Sequence, residues 1–194
     1  MTTYDHLARF YDLAFAPFER RFLGRWRRET LSLLPANAVI LELGAGTGAN
    51  FEFYPPNKHA VSSELSIEML SAASKKVRSN VLVQSDAQQL PFPDDTFDAA
   101  FATLVFCSIP DPALAFAELR RIIKSGGSVV LLEHVRPPGI LGYFFDALSV
   151  LTVAFIDDHF NRRTADIAAG SGLEVLEVRR KAAGAVNLIV CRVR

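Results

Sequence analysis

A glycine-rich segment and two acidic residues form the part of this 194-residue chain best suited to bind a small molecule. The segment reads ELGAGTG over residues 42–48, where a short apolar run gives way to a helical pattern. Glycines there let the backbone turn sharply and approach a ligand, and the N–H groups that begin a helix attract an anion. Glu64 follows Gly44 by 20 residues, where an acid can accept hydrogen bonds from a ribose diol. Asp86 places a second acid after the next strand.

The glycine pattern alone fits two classes of cofactor. The dinucleotide pattern G-x-G-x-x-A is matched by Gly44, Gly46 and Ala49, so an NAD-dependent oxidoreductase is one interpretation. Glu42 would face the pyrophosphate of a dinucleotide with the wrong charge, and Asp86 adds an acid where a purine would lie. A ligand carrying both an ammonium and a carboxylate suits this mixture of acids and N–H groups better.

Strands and helices must alternate to position these residues. Seven β-branched runs between residues 39 and 193 are predicted strands, separated by helical patterns. Asp111-Pro112 predicts a helix N-cap, and the glycines at 126 and 127 predict the end of that helix. Only residues 181–184 separate the last two runs, which predicts an antiparallel hairpin. We therefore expect an α/β fold with an open seven-stranded sheet, mostly parallel with an antiparallel edge, and helices on both faces.

Composition indicates an ordinary globular domain and argues against several functions. Half of the residues are hydrophobic, and 21 basic residues balance 21 acidic ones, so no nucleic-acid partner is expected. Cys107 and Cys191 lie in apolar stretches without ligand-like spacing, which predicts buried thiols and no metal site. The opening residues lack the apolar stretch of a signal peptide, which predicts a cytoplasmic location.

Two apolar segments flank the predicted core. Aromatic and leucine side chains recur at helical spacing from Leu7 to Trp26, Pro17 divides them into two short helices, and five arginines lie beside them. This segment either closes the active site as a lid with its arginines in solvent or also contacts an anionic membrane surface through these arginines. Residues 139–156 are shorter than a membrane span and contain Asp146, which favours a buried or pocket-lining helix over an interfacial one.

Together with three further motifs, the glycine segment resembles the class I S-adenosylmethionine-dependent methyltransferases. The motifs are ELSIEML at 64–70, DAQQLPFPD at 86–94 followed by Phe97-Asp98, and ELRRIIKSGG at 118–127. The resemblance covers nearly the whole chain and implies a Rossmann-like sheet, S-adenosyl-L-methionine as cofactor and S-adenosyl-L-homocysteine as product. It implies one domain, residues 1–194, with an N-terminal helical lid (1–36), a cofactor-binding core (37–136), a substrate-side apolar segment (137–172) and a C-terminal β-hairpin (173–194).

The resemblance also implies contacts between individual residues and the cofactor. The methionine and ribose part would meet the loop residues Gly44, Ala45, Gly46 and Gly48. The ribose hydroxyls would bind Glu64, and the adenine would lie beside Leu65 with its edge held by Asp86 and Ala87. The remaining contacts would come from Thr103 near the sulfonium, from Glu42 toward the methionine ammonium through water, and from Tyr4 and Tyr11 folding over the site.

The methyl acceptor is left open by these motifs. Within the family the chain looks most like the branch that contains ubiquinone/menaquinone C-methyltransferases, phosphatidylethanolamine N-methyltransferases and membrane-associated methyltransferase-like proteins. His134, Tyr11 and Asp157 could act in catalysis, although His134 also fits a strand end and Asp157 a helix N-terminus. The apolar segments favour a hydrophobic or lipid-like acceptor such as an aminophospholipid, a quinone precursor, or a small thiol or amine. A non-catalytic cofactor-binding subunit is a further alternative, and the oligomeric state is undetermined.

Overall fold

A seven-stranded sheet organises the described part of the chain. The computed structural model describes residues 22–54, 59–77, 79–140, 142–143, 145–146, 149, 159 and 161–194, so Tyr4, Tyr11 and Asp157 lie outside the described residues. The strands are β1 (Val39–Leu43), β2 (His59–Glu64), β3 (Val81–Gln84), β4 (Phe97–Thr103), β5 (Ile123–His134), β6 (Glu174–Lys181) and β7 (Val186–Arg192). Their spatial order is β3-β2-β1-β4-β5-β7-β6.

The pairing confirms the predicted mostly parallel sheet and places its antiparallel strand. The five strands from β3 to β5 are parallel, whereas β7 is antiparallel to both β5 and β6. The C-terminal hairpin therefore forms the sheet edge as expected, but its inner strand β7 is the antiparallel one. Because the chain order reverses at β1 and β4, a crevice opens at the carboxyl ends of these two strands.

The described helices begin and end near the predicted signals. They are α1 (Gly24–Ser32), α2 (Ile67–Ser74), α3 (Pro112–Ile122) and α4 (Thr164–Gly170). The side chain of Asp111 accepts hydrogen bonds from the N–H groups of residues 113 and 114, which confirms the predicted N-cap of α3. This helix ends at Ile122, earlier than the glycines suggested, because Ile123 already pairs with Phe97 at the start of β5.

Each face of the sheet carries its own hydrophobic core. On one face α3 and α4 pack against residues such as Leu41, and the rings of Phe106 and Phe116 stack with their centroids 4.3 Å apart. On the other face α1 packs over a second core that includes Ile40, Phe101 and Leu132. Side chains alternate between faces along a strand, so the residues two positions further along lie on the face of α1. These residues are Glu42, Thr103 and His134.

The buried side of α1 differs from the predicted aromatic stripe. Leu23, Arg27 and Leu31 point into the protein, whereas Phe22 is 45% exposed and Trp26 only partly buried. The expectation that the arginines of this segment lie in solvent or meet lipid is wrong for Arg27, whose exposed fraction is 5%. Burial of its guanidinium is tolerated because Thr103 at the end of β4 and Asn50, two residues after the glycine segment, accept its hydrogen bonds.

The acid within the apolar run is paired inside the fold. Arg136 donates hydrogen bonds to both carboxylate oxygens of Asp146, from Nε at 3.0 Å to Oδ1 and 3.1 Å to Oδ2, and from Nη2 at 2.8 Å to Oδ2. The Asn161 amide also donates to this carboxylate. The Arg136 guanidinium lowers the pKa of Asp146 against the weaker effect of burial, which keeps the acid charged. Within the described ranges, no helix combines the length and the hydropathy that crossing a bilayer requires.

Candidate functional site

The glycine segment lies at the crevice between β1 and β4. Gly44, Gly46 and Gly48 have φ values of 67°, 55° and 80°, a conformation that glycine adopts without strain. A Cβ at Gly44 would lie 2.5 Å from Val105 Cγ2, so this glycine lets the loop pack against the segment that follows β4. A Cβ at Gly46 would have no atom of the described residues within 4 Å apart from its chain neighbours, so these residues leave open space above the middle of the loop.

Glu64 holds the loop at the carboxyl end of β2. Its carboxylate accepts hydrogen bonds from the N–H of Gly46 at 2.8 Å and from the N–H of Ser66 at 2.9 Å. Ser66 in turn caps α2 by accepting a hydrogen bond from the N–H of residue 69. Leu65 and Ile67 flank the acid with apolar side chains that are about half exposed. An acidic group and an apolar surface therefore lie side by side at this edge.

Asp86 lies at the end of the neighbouring strand. The backbone N–H of Ser85 donates to the Glu64 carbonyl oxygen at 3.0 Å, which places the two acids on adjacent strand ends. The Asp86 carboxylate accepts hydrogen bonds from the backbone N–H of Gln88 at 2.8 Å and from its side-chain amide at 3.1 Å. Ala87 packs partly buried against the core.

A buried polar network surrounds Glu42. Its carboxylate has no exposed surface and accepts hydrogen bonds from Asn50 Nδ2 at 2.7 Å, Tyr54 Oη at 2.5 Å and Ser62 Oγ at 2.7 Å. Burial raises the pKa of Glu42, and the three donors and the charge of Arg27 act against that rise. Since protein groups surround the carboxylate, the expected clash with a pyrophosphate no longer weighs against a dinucleotide. Its contact with a methionine ammonium stays a prediction.

Arg27 joins α1 to this network. Its Nη1 donates to Asn50 Oδ1 at 2.9 Å and to Thr103 Oγ1 at 2.5 Å. Asn50 Nδ2 also donates to Thr103 Oγ1, at 2.9 Å. The sequence-based predictions missed Arg27, Asn50 and Tyr54. A signal for Arg27 existed, because it follows Leu23 by four positions and precedes Leu31 by four, which places it on the same helical face as both.

The end of β5 contributes a buried acid and a histidine. Glu133 is fully buried, and its carboxylate accepts hydrogen bonds from the N–H groups of Val105 and Phe106, each at 3.1 Å. It thereby holds the turn that packs against Gly44. His134 is half-buried and lies at the same sheet edge and on the same face as Thr103. Its role as a general base stays a prediction.

The two cysteines lie inside the protein, as predicted. Cys107 and Cys191 are buried and form no disulfide, and burial raises the pKa of Cys191 to about 12. In the portion of the chain that the structure covers, no three His, Cys, Asp or Glu side chains are grouped to hold a metal ion.

The structure brings most of the predicted cofactor residues to one sheet edge. The strands β1, β2, β3 and β4 carry the loop glycines, Glu64, Asp86 and Thr103 to their carboxyl ends. Ligands in open α/β sheets bind at this edge beside the switch in strand order. The arrangement can hold a ligand that has a diol, a flat apolar ring and a charged end.

Comparison with known proteins gives this geometry a family. A model of the methyltransferase domain matches residues 41–131. A phosphatidylethanolamine N-methyltransferase of Cereibacter sphaeroides is 32% identical over 78% of this chain and 78% of its own length. A demethylmenaquinone methyltransferase of Streptomyces avermitilis is 34% identical over 69% of the chain and 59% of its own length. A thiol S-methyltransferase of Homo sapiens is 34% identical over 52% of the chain and 44% of its own length.

A solved structure shares the fold. A SAM-dependent methyltransferase of Thermotoga maritima superimposes with a TM-score of 0.78 at 22% identity, covering 99% of this chain and 98% of that one. The predicted Rossmann-like fold is therefore confirmed.

Proposed function

The chain belongs to the S-adenosylmethionine-dependent methyltransferases, and we propose that it transfers the methyl group to a hydrophobic, lipid-like small molecule. The family implies the cofactor, whereas the acceptor and the residue roles are part of the proposal. The observation that carries the choice of acceptor is the exposed apolar surface that follows β5 at the carboxyl edge of the sheet.

Three features of the edge fit S-adenosylmethionine. The space above Gly46 would admit the backbone-contacting part of the cofactor. The hydroxyl oxygen of Ser85, between the two acids, is buried and has no hydrogen-bond partner among the described residues, so a ligand atom can serve as that partner. The carboxylates of Glu64 and Asp86 suit hydroxyl and amine hydrogens of a nucleoside, beside the apolar side chain of Leu65.

When bound, the cofactor supplies an electrophilic methyl group on a sulfonium. The protein's contribution to an in-line displacement is to align the acceptor and to keep water away. Glu64 and Asp86 fix the nucleoside end, and α1 covers the neighbouring face of the sheet, so the reacting end would lie near Thr103. His134 would take a proton only from an acceptor that must lose one before or during the displacement.

Apolar side chains beside the edge favour a hydrophobic acceptor. Ile140 is 88% exposed and Tyr143 is 71% exposed, a few residues after the end of β5. The charges of Arg136 and Asp146, which lie beside these two side chains in the chain, are paired with each other. Relatives named for a phospholipid, a menaquinone precursor and a thiol support an acceptor of this kind. An aminophospholipid is the leading choice, because the phosphatidylethanolamine N-methyltransferase matches 78% of this chain and 78% of its own length.

Transfer of labelled methyl groups tests the proposal. The purified protein would be incubated with labelled S-adenosylmethionine and, in separate reactions, with phosphatidylethanolamine vesicles, a demethylmenaquinone, a long-chain thiol and a water-soluble amine. Binding of S-adenosylmethionine and of NAD would be measured by calorimetric titration. We expect label in at least one hydrophobic product, with Asp86→Ala inactive and Gly126→Ala, a substitution far from the edge, active. Label only in the water-soluble amine would contradict the proposal of a hydrophobic acceptor. Binding of NAD together with failure to bind S-adenosylmethionine would contradict the proposed methyl transfer.

Three further assignments belong to the proposal. Tyr4 and Tyr11 would close over the cofactor, and Asp157 would act near the acceptor. The N-terminal segment would rest on a membrane from its cytoplasmic side when the acceptor is a lipid. Co-sedimentation with anionic vesicles checks this contact, and recovery of all the protein in the supernatant would contradict it.

A further inference from the structure

The hydroxyl of Thr103 has a hydrogen for which the described residues offer no acceptor. A threonine hydroxyl can accept two hydrogen bonds and donate one. Arg27 Nη1 and Asn50 Nδ2 both approach Thr103 Oγ1, and both nitrogens can only donate. The oxygen therefore uses its two lone pairs. Among the residues that the structure describes, none accepts the remaining hydrogen.

The orientation of the Asn50 amide determines which of its atoms faces the Thr103 hydroxyl. Its Oδ1 faces the Arg27 guanidinium and its Nδ2 faces the Glu42 carboxylate at 2.7 Å. The reversed amide would place its NH₂ group against a guanidinium and its oxygen against a carboxylate, which are both repulsive contacts. Nδ2 is therefore the atom beside Thr103, and it donates to the hydroxyl.

The position of Thr103 indicates where its hydrogen goes. Thr103 is the last residue of β4 and lies at the crevice, with 6% of its surface exposed. A cationic donor on a hydroxyl oxygen polarises the O–H group and strengthens it as a donor. A partly charged or anionic oxygen of a ligand is the partner that such a group binds best.

We infer that Thr103 donates a hydrogen bond to an oxygen of the bound ligand and that Arg27 and Asn50 are positioning residues that orient its hydroxyl. The inference rests on the proposed function, and two sources could supply the oxygen. One is the carboxylate in the amino-acid part of the cofactor, and the other is an oxygen of the methyl acceptor.

Binding of two cofactor analogues to Thr103 variants tests the hydrogen bond. S-adenosylhomocysteine carries the carboxylate, whereas 5′-methylthioadenosine lacks the whole amino-acid part. If the oxygen is the carboxylate, Thr103→Val should raise the Kd for S-adenosylhomocysteine about tenfold or more and leave that for 5′-methylthioadenosine unchanged. Thr103→Ser keeps the hydroxyl and should bind S-adenosylhomocysteine with the wild-type Kd.

If the oxygen belongs to the acceptor, both Kd values stay at wild type in Thr103→Val. In Thr103→Val, the KM for phosphatidylethanolamine vesicles, the leading acceptor, then rises about tenfold or kcat falls about tenfold. The Thr103→Ser variant should keep the wild-type values. An equal loss of affinity for both analogues together with a lower Tm would overturn the inference, because it indicates a structural role. Wild-type binding and kinetics in Thr103→Val would overturn it as well.

A pair of variants on α1 tests the positioning role. Arg27→Met removes the polarising donor and should reproduce the direction of the Thr103→Val effect. Glu29→Gln weakens the ion pairs that join α1 to Lys181 and Arg179 of β6 but leaves the network intact, so it should not change ligand binding or kinetics. Equal effects of the two variants would assign the loss to the docking of α1 and overturn the role of Arg27. Failure of the wild-type protein to bind S-adenosylhomocysteine would instead refute the proposed function.

Discussion

Gly46→Ala separates the backbone requirement of the glycine loop from its proposed contact with a ligand. The φ of 55° costs a residue with a Cβ about 1–2 kcal/mol, and no described residue beyond the chain neighbours has an atom within 4 Å that would add a steric clash. We therefore expect the free energy of unfolding to fall by about 1–2 kcal/mol. For a chain of this size this corresponds to a decrease in Tm of about 2–8 °C, measurable by thermal melting.

The same methyl group should act more strongly on ligand binding. It would occupy the space above the loop, and overpacking of one methyl group costs about 1–3 kcal/mol. The Kd for S-adenosylhomocysteine, measured by calorimetric titration, should therefore rise about 5-fold to 150-fold. Gly126→Ala is the matched control, because Gly126 has a φ of 80° and no atom of the described residues beyond its chain neighbours lies within 4 Å of an added Cβ. It lies between Ile123 and Ser128 at the amino end of β5, away from the carboxyl edge of the sheet.

The control variant should lose a similar amount of stability and keep the wild-type Kd. If Gly46→Ala and Gly126→Ala bind S-adenosylhomocysteine equally well, the loop does not approach the ligand and our reasoning is refuted. Gly44→Ala provides a second comparison, since its Cβ would lie 2.5 Å from Val105 Cγ2. Its loss of stability should exceed that of Gly46→Ala, and equal losses would contradict the steric difference between the two sites.

Three further predictions concern the site and its support. Glu64→Ala should raise the Kd for S-adenosylhomocysteine at least about tenfold, since the carboxylate holds the Gly46 N–H, and an unchanged calorimetric Kd would argue against this role. Burial raises the pKa of Glu42 above its ordinary value of 4.5, so the folded protein binds the carboxyl proton more tightly than the unfolded chain does. The protein therefore loses stability as the pH rises from the pKa of the unfolded chain to the higher pKa of the folded protein. In urea titrations at several pH values, the stability of Glu42→Gln relative to wild type should therefore rise with pH, and a constant difference would contradict the sign. Phe116→Ala removes a fully buried ring stacked on Phe106 and should lower the free energy of unfolding by about 3–5 kcal/mol, whereas a loss below about 1 kcal/mol in the same titration would contradict its place in the core.

Local patterns in the sequence determined the fold and the location of the proposed ligand site. Alternating runs predicted the seven strands, and Asp111-Pro112 predicted the start of α3, because backbone hydrogen bonding and side-chain periodicity act over a few residues. The glycine loop followed from the same local rule. Its three glycines do adopt positive φ values, and the acids Glu64 and Asp86 lie on adjacent strand ends because parallel strands share a carboxyl edge.

Only the tertiary structure decided which polar groups meet inside the protein. Arg27 and Thr103 are 76 positions apart, and no periodicity links them, yet they share a hydrogen bond beneath the crevice. The aromatic stripe suggested that this arginine would remain outside, but a buried guanidinium is stable where the fold supplies acceptors and a nearby carboxylate. The partner of Asp146 was likewise set by the return of the chain past the end of β5. Burial of a charge depends on the three-dimensional arrangement of its partners. Local sequence patterns do not predict that arrangement, because the partners lie far apart along the chain.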